Sequence, residues 1–450
     1  MILTFRPSRA CGSACSSLQA IAREGLRGTG VLSPPAARSS HPRRLPPCRS
    51  PQPPRAFRCL FQTQSRAFHS TPNCNSQTPR ISYRVAASSS GKSRRFLPSK
   101  NAYNFNPELH NALGVAVDTE DPVAKRKRRP DSGEDAFFVS TVGRPGSSTS
   151  TDNSIAFAVA DGVGGWAESR VDPADFSHAL CDNMAQTALS WTEPAEQLRA
   201  KHLLQSGYDR VVADDSVRAG GSTASVGIGL NDGRIELANL GDSGSVLLRQ
   251  AAVHHYSIPQ THGFNTPYQL SIIPPRMRRQ ASIFGGAFLE DFPRDAISTN
   301  LTMQHGDVLI LATDGVFDNL NNQDILKLVT SRMLYTGAWT ASTGIAPSDS
   351  ETLARLTGPE GLSSIISSNF SKSTPNSKPA TASNPHDATY TLQSLIAATI
   401  AGEAKLASMD LRRDGPFAKE AQRYYPGDYY RGGKVDDIAV LVIVAVGEGQ

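Results

Sequence analysis

The sequence FAVADGVGGW occupies Phe157–Trp166, and its first half continues an apolar run that begins at Ile155. The run from Ile155 to Ala160 is too short for a helix and is rich enough in Val and Ile to predict a buried strand. Asp161 follows, on a turn whose three glycines let the backbone approach a small ligand closely. Carboxylate and carbonyl oxygens at such a turn suit Mg²⁺ or Mn²⁺, although an ordinary Asp-Gly turn is the plainer interpretation.

A second acidic cluster is expected at the same end of the sheet. Glu134 and Asp135 precede the apolar run Ala136–Val139, and a polar turn at residues 144–153 separates this run from the next strand. Two strands joined by a polar turn predict a hairpin, which would place both carboxylates beside Asp161.

The order strand, aspartate, glycine recurs later in the chain. Asp314 follows the apolar run Val308–Ala312, and Asp436 and Asp437 precede the run IAVLVIVAV, which predicts a buried last strand. Carboxylates that meet at one edge repel one another unless cations neutralise them. These clusters therefore predict two divalent ions bridged by Asp161, which would lower the pKa of a shared water and clamp phosphoryl oxygens.

Short strands with tight turns fill Ser222–Arg249 and predict an antiparallel meander rather than βαβ units. Asp242 lies in the turn Gly241–Gly244, where an aspartate is most often a turn former. Asp172 followed by Pro173 predicts the start of a helix.

The start of the chain has a different composition. Residues 1–100 contain 15 Arg and two Lys but one acidic side chain, Glu24, which is typical of an organelle transit peptide. RAFHST at 66–71 resembles a mitochondrial processing signal. We expect a transit peptide over 1–75, a disordered linker over 76–104 and a location in the mitochondrial matrix. The alternative is a basic tail that binds nucleic acid.

The rest of the chain is acidic. The chain carries a net charge of +5, of which residues 1–100 contribute +16, so the remainder carries −11. This charge argues against nucleic acid as a partner. Cys181 is the one cysteine after residue 75, so the folded part has no internal disulfide. The sequence contains no apolar run of about 18 residues, so a transmembrane helix is not expected.

Residues 340–387 are rich in Ser, Thr, Pro and Ala and poor in aromatic residues. Such a composition cannot bury enough apolar surface to order itself. We expect a disordered surface insertion within a domain that spans 105–447.

Six segments resemble, in order, the motifs of the protein phosphatase 2C family of metal-dependent serine/threonine phosphatases. They are ED at 134–135, DGVGGW at 161–166, GSTAS at 221–225, NLGDSG at 239–244, ATDGVFDN at 312–319 and VDDIAV at 435–440. RVDPADFS at 170–177 and QTHGFNTPYQLS at 260–271 resemble the mitochondrial Ptc7-type branch of that family. The resemblance implies an α+β fold, a four-layer αββα sandwich of two antiparallel sheets flanked by helices.

The resemblance also implies roles for the acidic residues. Asp161, Asp314 and Asp436 would be the catalytic carboxylates, and two Mn²⁺ or Mg²⁺ ions would be bound. The expected metal ligands are Glu134, Asp135, Asp161, the carbonyl of Gly162, Asp314 and Asp436. Asp437 is not expected to be a ligand because it stands where the family has Asn, and Asp242 would help hold a third, weaker ion.

Two positions depart from the family pattern. Pro130 stands where the family has an Arg that grips phosphate, so Arg128 or Arg129 is expected to replace it. Val163 stands where the family often has a His that acts as general acid, and His262 and His178 are the first candidates for another acid.

The function implied is hydrolysis of phosphoserine and phosphothreonine on mitochondrial proteins by a water bridged between the two ions. The partners are then phosphorylated proteins. The alternative function is a catalytically weak scaffold of the same fold that binds phosphoproteins, for which the two departures are the best argument.

Overall fold

The computed structural model describes residues 80–143, 153–284, 288–359, 361–362, 390–427 and 429–448. The predicted transit peptide, its processing motif and the first five cysteines lie outside these residues. In the described part of the chain, no helix is long and apolar enough to cross a membrane.

Eighteen strands are present in the described residues. They are β1 Ile81–Ser90, β2 Ala102–Phe105, β3 Ala112–Leu113, β4 Asp135–Thr141, β5 Ile155–Asp161, β6 Gly220–Ser222, β7 Ala224–Gly229, β8 Arg234–Leu240, β9 Gly244–Arg249, β10 Ala252–Tyr256, β11 Thr261–Gly263, β12 Thr266–Pro267, β13 Leu270–Ile272, β14 Ile297–Thr302, β15 Val308–Ala312, β16 Trp339–Ala341, β17 Ile345–Pro347 and β18 Ile438–Gly447.

Nine α-helices accompany them within the same residues. They are α1 Pro122–Arg128, α2 Pro173–Leu189, α3 Ala200–Ala213, α4 Pro275–Phe284, α5 Asp314–Phe317, α6 Asn322–Thr336, α7 Ser350–Thr357, α8 Leu392–Met409 and α9 Pro416–Tyr424. As predicted, α2 starts at Pro173, and the side chain of Asp172 caps it by accepting from the Ala174 N–H.

Most strands belong to two six-stranded sheets. The first sheet has the order β10-β9-β15-β18-β1-β2, and the second has the order β14-β8-β7-β5-β4-β3. All strand pairs within both sheets are antiparallel. The predicted hairpin of β4 and β5 is confirmed.

The two sheets share one apolar layer and each has a second one on its outer face. Leu309 and Leu311 of β15 pack with Phe157 of β5 in the layer between the sheets. The alternate residues of β15 pack against α6, α7 and α8, while the outer face of the second sheet packs against α2 and α3. Because strands expose alternate residues on opposite faces, a strand buried on both faces reads as a continuous apolar run. The layers follow the order αββα, which confirms the predicted fold class.

The meander prediction is wrong at the turn Gly241–Gly244. β7 and β8 pair in the second sheet, but β9 pairs with β10 and β15 in the first sheet. The turn therefore carries the chain from one sheet to the other. Gly241 has φ +97° there, and a Cβ would lie 2.6 Å from the Tyr268 carbonyl oxygen.

The disordered linker predicted over 76–104 is also wrong for the residues described. β1 lies between β18 and β2 in the first sheet, and nine of its ten residues are buried. Its sequence, ISYRVAASSS, ends in small residues, so it lacks the strong apolar pattern of a buried strand. Small side chains suit this place because the Ala-rich α8 packs on this sheet.

The predicted insertion at 340–387 is wrong in its first part. β16 pairs with β17, and α7 follows with Leu353 and Leu356 buried against the first sheet. Asp349 caps α7 by accepting from the Thr352 N–H. The average composition of 340–387 gave no sign of the apolar residues spaced along α7. Residues 363–389 of the predicted insertion lie outside the described residues.

Candidate active site

The register of β4 and β5 sets the first acidic pair in place. Asp135 lies directly opposite Asp161, the last residue of β5. At Gly162, a Cβ would lie 2.7 Å from the carbonyl oxygens of both Glu134 and Pro173. Close backbone packing therefore requires glycine at the turn that follows Asp161.

In the first sheet, β15 lies between β9 and β18, and the three strands reach the same edge. Ala312 at the end of β15 pairs with Gly244 of β9 and with Val440 of β18. Asp314 therefore emerges beside Asp242, which precedes β9, and beside the acidic pair that precedes β18.

Three carboxylates from these turns form a compact cluster. One oxygen each of Asp161, Asp242 and Asp314 lies within 4.8 Å of the other two. Burial raises the pKa of Asp161 well above its usual range, and the charges of Asp314 and Asp135 raise it further. Burial and the charge of Asp314 also raise the pKa of Asp242 to about 7. These carboxylates therefore favour either a proton or a neighbouring cation.

The chemistry of the cluster fits a divalent cation. Oδ1 of Asp242 is buried and has no hydrogen-bond partner among the described residues. Buried carboxylate oxygens are ordinarily hydrogen-bonded, paired with a charge or bound to a metal. Because the three side chains offer only oxygen ligands, they suit Mg²⁺ or Mn²⁺.

The ammonium group of Lys434 neutralises the Asp314 side of the cluster. Its Nζ lies 2.5 Å from Asp314, 2.7 Å from Asp318 and 3.0 Å from Asp436. Burial favours a raised pKa at Asp314, but the charge and hydrogen bond of Lys434 outweigh it and hold this pKa below its usual value. At Asp436, burial and the charge of Asp314 outweigh Lys434 and raise the pKa. The acidic centre comprises Asp161, Asp242, Asp314 and Asp436.

Asp135, a predicted ligand, and Asp437, which is not one, make contacts outside the acidic centre. Asp437 accepts hydrogen bonds from the backbone N–H of Glu134 at 2.9 Å and from that of Lys92. Thr313 Oγ1 donates to Asp135 at 2.7 Å, while burial and the charge of Asp437 raise the pKa of Asp135 well above its usual range. Both oxygens of Asp437 thus accept hydrogen bonds from backbone N–H groups.

Arg128 and Arg129 are not brought to the acidic centre. Arg128 pairs with Asp118, and Nη2 of Arg129 lies 2.7 Å from Asp175 of α2. Both arginines line a separate cavity of about 330 Å³ beside α1 and α2. The prediction that they bind phosphate is therefore wrong, because the basic run folds as α1 and pairs with acidic residues outside the acidic centre.

The two histidines considered as general acids have different surroundings. Burial lowers the pKa of His178 to about 3, so its ring is neutral at physiological pH. His262 Nε2 lies 2.9 Å from a carboxylate oxygen of Asp291. Val163 packs against the apolar cluster of Trp166, so it offers neither a proton nor a charge.

Sequence reasoning missed two cations and one carboxylate of the site. Lys434 stands two residues before Asp436, and Asp318 stands one helical turn after Asp314, so both spacings were visible signals. Lys92 gave no signal because its loop was assigned to a disordered linker.

Comparisons with known proteins find the following similarities. A sequence profile described as "Protein phosphatase 2C" matches residues 131–346. The chain is 34% identical to "Protein phosphatase 2C homolog 7, mitochondrial" of Saccharomyces cerevisiae over 269 residues, which cover 59% of this chain and 74% of that protein. It is 31% identical to "5-azacytidine resistance protein azr1" of Schizosaccharomyces pombe over 316 residues, which cover 70% of this chain and 82% of that protein. Among solved structures, the photosystem II phosphatase PBCP matches with 24% identity and a TM-score of 0.44, covering 69% of this chain and 91% of that chain.

Proposed function

This chain belongs to the protein phosphatase 2C family of metal-dependent serine/threonine phosphatases, and we propose that it dephosphorylates phosphoserine and phosphothreonine on mitochondrial proteins with two Mn²⁺ or Mg²⁺ ions. The observation that carries the proposal is the cluster of Asp161, Asp242 and Asp314 oxygens within 4.8 Å of one another. Its raised pKa values at Asp161 and Asp242 mean that a bound cation would relieve unfavourable charge.

The proposed ligands divide between the two sheets. Asp161, Asp314 and Asp436 would hold the ions together with Glu134, Asp135 and the Gly162 carbonyl, and Asp242 would help hold a third, weaker ion. When bound, the ions supply a nucleophilic water at neutral pH and neutralise charge on the phosphoryl oxygens.

The protein holds Asp161 rigidly. The hydroxyl of Ser222 donates to the Asp161 carbonyl oxygen at 2.8 Å, and the Thr223 N–H donates to the same oxygen at 2.9 Å. The Asp161 N–H in turn donates to Thr223 Oγ1 at 3.2 Å. A carboxylate whose backbone is fixed in this way needs little rearrangement when it binds a cation and substrate.

Lys434 keeps Asp314 in the charged form that binds a cation. By lowering the pKa of Asp314, it keeps that carboxylate ionised and able to accept a cation in place of a proton. Its own ammonium group contacts three carboxylates, so it stabilises the acidic centre before a substrate arrives.

Two observations support mitochondrial phosphoproteins as substrates. The first hundred residues have the Arg-rich, acid-poor composition of a transit peptide. One relative, with 34% identity, is named as a mitochondrial member of the family. The acidic charge of the remaining chain favours protein substrates over nucleic acid.

The test is turnover of a phosphothreonine peptide by the purified protein with Mn²⁺, with Mg²⁺ and with EDTA. We expect metal-dependent hydrolysis, and we expect Asp161→Asn to lose several orders of magnitude in rate because the bridging charge is gone. Asp215→Asn, on an exposed loop, is the matched control and should keep full activity. Undiminished turnover in EDTA would refute the proposal, and peptide binding without turnover in Mn²⁺ would favour the phosphoprotein-binding scaffold.

A further inference from the structure

Lys92 lies two residues after β1, beside Glu134 and Asp437, which neighbour Asp135 and Asp436 in the sequence. Its Nζ lies 3.0 Å from Glu134 Oε2 and 3.9 Å from Asp437 Oδ2, and its side chain is 42% exposed. Burial disfavours its charge, but the hydrogen bond to Glu134 and the charge of Asp437 outweigh burial and raise the pKa of Lys92. The group is therefore a cation that solvent, or a ligand, can reach.

The backbone beneath this side chain is fixed from several sides. The Lys92 N–H donates to Asp437, and the Gly91 N–H donates to the Asp131 carbonyl at 3.0 Å. From α8, Lys405 Nζ donates to the carbonyl oxygens of Gly91 at 2.8 Å and of Lys92 at 2.9 Å. A fixed backbone with an accessible tip is the arrangement that positions a binding group without a large entropic cost.

Lys92 has N–H donors left for a ligand, whereas the ammonium group of Lys434 already contacts three carboxylates. An ammonium group has three N–H donors. Glu134 accepts one of them, while Asp437 at 3.9 Å is beyond hydrogen-bond distance. Lys434, by contrast, contacts three carboxylates and is 17% exposed.

A phosphate monoester carries close to two negative charges at neutral pH and would approach a site built from carboxylates. Metal ions would neutralise the carboxylates, and a further cation close to them would strengthen the binding of the phosphate anion. Lysine serves this purpose as a point charge. Lys92 is placed next to Glu134, whose neighbour Asp135 pairs with Asp161.

We propose that Lys92 binds the phosphoryl oxygens of the substrate, an inference that rests on the proposed phosphatase function. In this chain it takes the place that the sequence suggested for Arg128 or Arg129. Binding would exchange the contact with Glu134 for contacts with phosphate, or add to it through the remaining N–H donors.

The test compares Lys92→Gln, Lys92→Arg and Arg94→Gln in the full chain. Arg94 lies on the same loop, is 70% exposed and pairs with Asp131, so Arg94→Gln is the matched control. With p-nitrophenyl phosphate and Mn²⁺, we expect Lys92→Gln to raise KM and the inhibition constant of inorganic phosphate by about 10-fold or more, with a smaller change in kcat. Lys92→Arg should restore most of the affinity, and Arg94→Gln should match wild type.

A second readout does not depend on turnover. Inorganic phosphate in the presence of Mn²⁺ should raise the melting temperature of wild type and Arg94→Gln, and should raise that of Lys92→Gln much less. Equal phosphate inhibition and equal melting shifts in wild type and Lys92→Gln would overturn the inference and leave the phosphatase function standing. A lower melting temperature in Lys92→Gln with undiminished phosphate binding would overturn it too, because Lys92 would then be a structural cation. An inactive wild-type protein would instead refute the proposed function, and the phosphate melting shift would still report on Lys92.

Discussion

Asp161 ends a buried strand of the second sheet, Asp314 stands two residues after a buried strand of the first sheet, and each precedes a glycine, yet their surroundings differ. Asp314 has Lys434 within 2.5 Å, and its pKa is lowered. Asp161 is surrounded by other carboxylates, and burial with the charges of Asp314 and Asp135 raises its pKa well above the usual range. The same local sequence therefore gives one carboxylate that is already compensated and one that favours an added cation.

The glycine that follows each aspartate is required for the same reason in both turns. A Cβ at Gly162 would lie 2.7 Å from the Glu134 carbonyl oxygen, and one at Gly315 would lie 1.9 Å from that of Asp437. The two sides share this close packing but not the backbone, because Asp161 ends strand β5 whereas Asp314 begins helix α5. Despite burial, Lys434 and a hydrogen bond from Asp161 both lower the pKa of Asp314, so the two carboxylates interact and a cation bound between them would act on both.

Removal of Lys434 should have the largest effect on the difference between the surroundings of Asp161 and Asp314. Lys434→Met would leave Asp314, Asp318 and Asp436 without their cation, and breaking a buried ion pair costs about 3 kcal/mol or more. We expect the free energy of unfolding in EDTA to fall by about that amount. Saturating Mn²⁺ should recover part of the loss, because a bound cation replaces the missing charge.

Urea denaturation with and without Mn²⁺ measures both effects. Lys419→Met, at an exposed position of α9, is the control and should change the unfolding free energy little. A loss in Lys434→Met that Mn²⁺ leaves unchanged would show that Lys434 supports the fold independently of the metal site.

A smaller effect should come from His178, a buried residue of α2 that lines the cavity beside α1. Burial lowers its pKa to about 3, so the folded protein holds a neutral ring while the unfolded chain binds a proton below its ordinary pKa of 6.5. Stability is therefore present above pH 6.5 and falls as the pH is lowered. Between pH 7 and pH 5 the contribution is on the order of 2 kcal/mol.

His178→Gln should remove that part of the pH dependence, as measured by urea denaturation at pH 7, 6 and 5. His110→Gln, at an exposed position, should keep the wild-type slope. An unchanged slope in His178→Gln would mean that the ring accepts a proton in the folded state as readily as in the unfolded chain.

Strong local patterns predicted much of the fold and the acidic residues. The hairpin that sets Asp135 opposite Asp161 and the capped start of α2 at Asp172 both follow from short-range sequence features. The fold class followed from the ordered motifs of the family, and the packing of the two sheets confirms it.

The errors arose where long-range packing overrides local composition. β1 is rich in Ser and Ala and looks like a linker, but it pairs with β18 near the other end of the described chain, from Ile81 with Gly447 to Ser90 with Ile438. β9 leaves the meander because Gly241 turns the chain toward the other sheet. Spacing alone gave no indication that Lys92 would meet Glu134, because that contact depends on β1 being in the sheet.

The claim that Asp161 needs a bound cation is tested most directly by melting temperatures. They are compared for wild type, Asp161→Asn and Asp314→Asn at pH 7, in EDTA and in saturating Mn²⁺. A carboxylate with a raised folded pKa costs stability as the pH rises, so Asp161→Asn should melt above wild type in EDTA. Asp314→Asn should melt below wild type, because Lys434 loses a partner. Mn²⁺ should then raise the melting temperature of wild type more than that of either variant. Destabilisation of both variants in EDTA, together with an equal Mn²⁺ response in wild type and Asp161→Asn, would contradict the account.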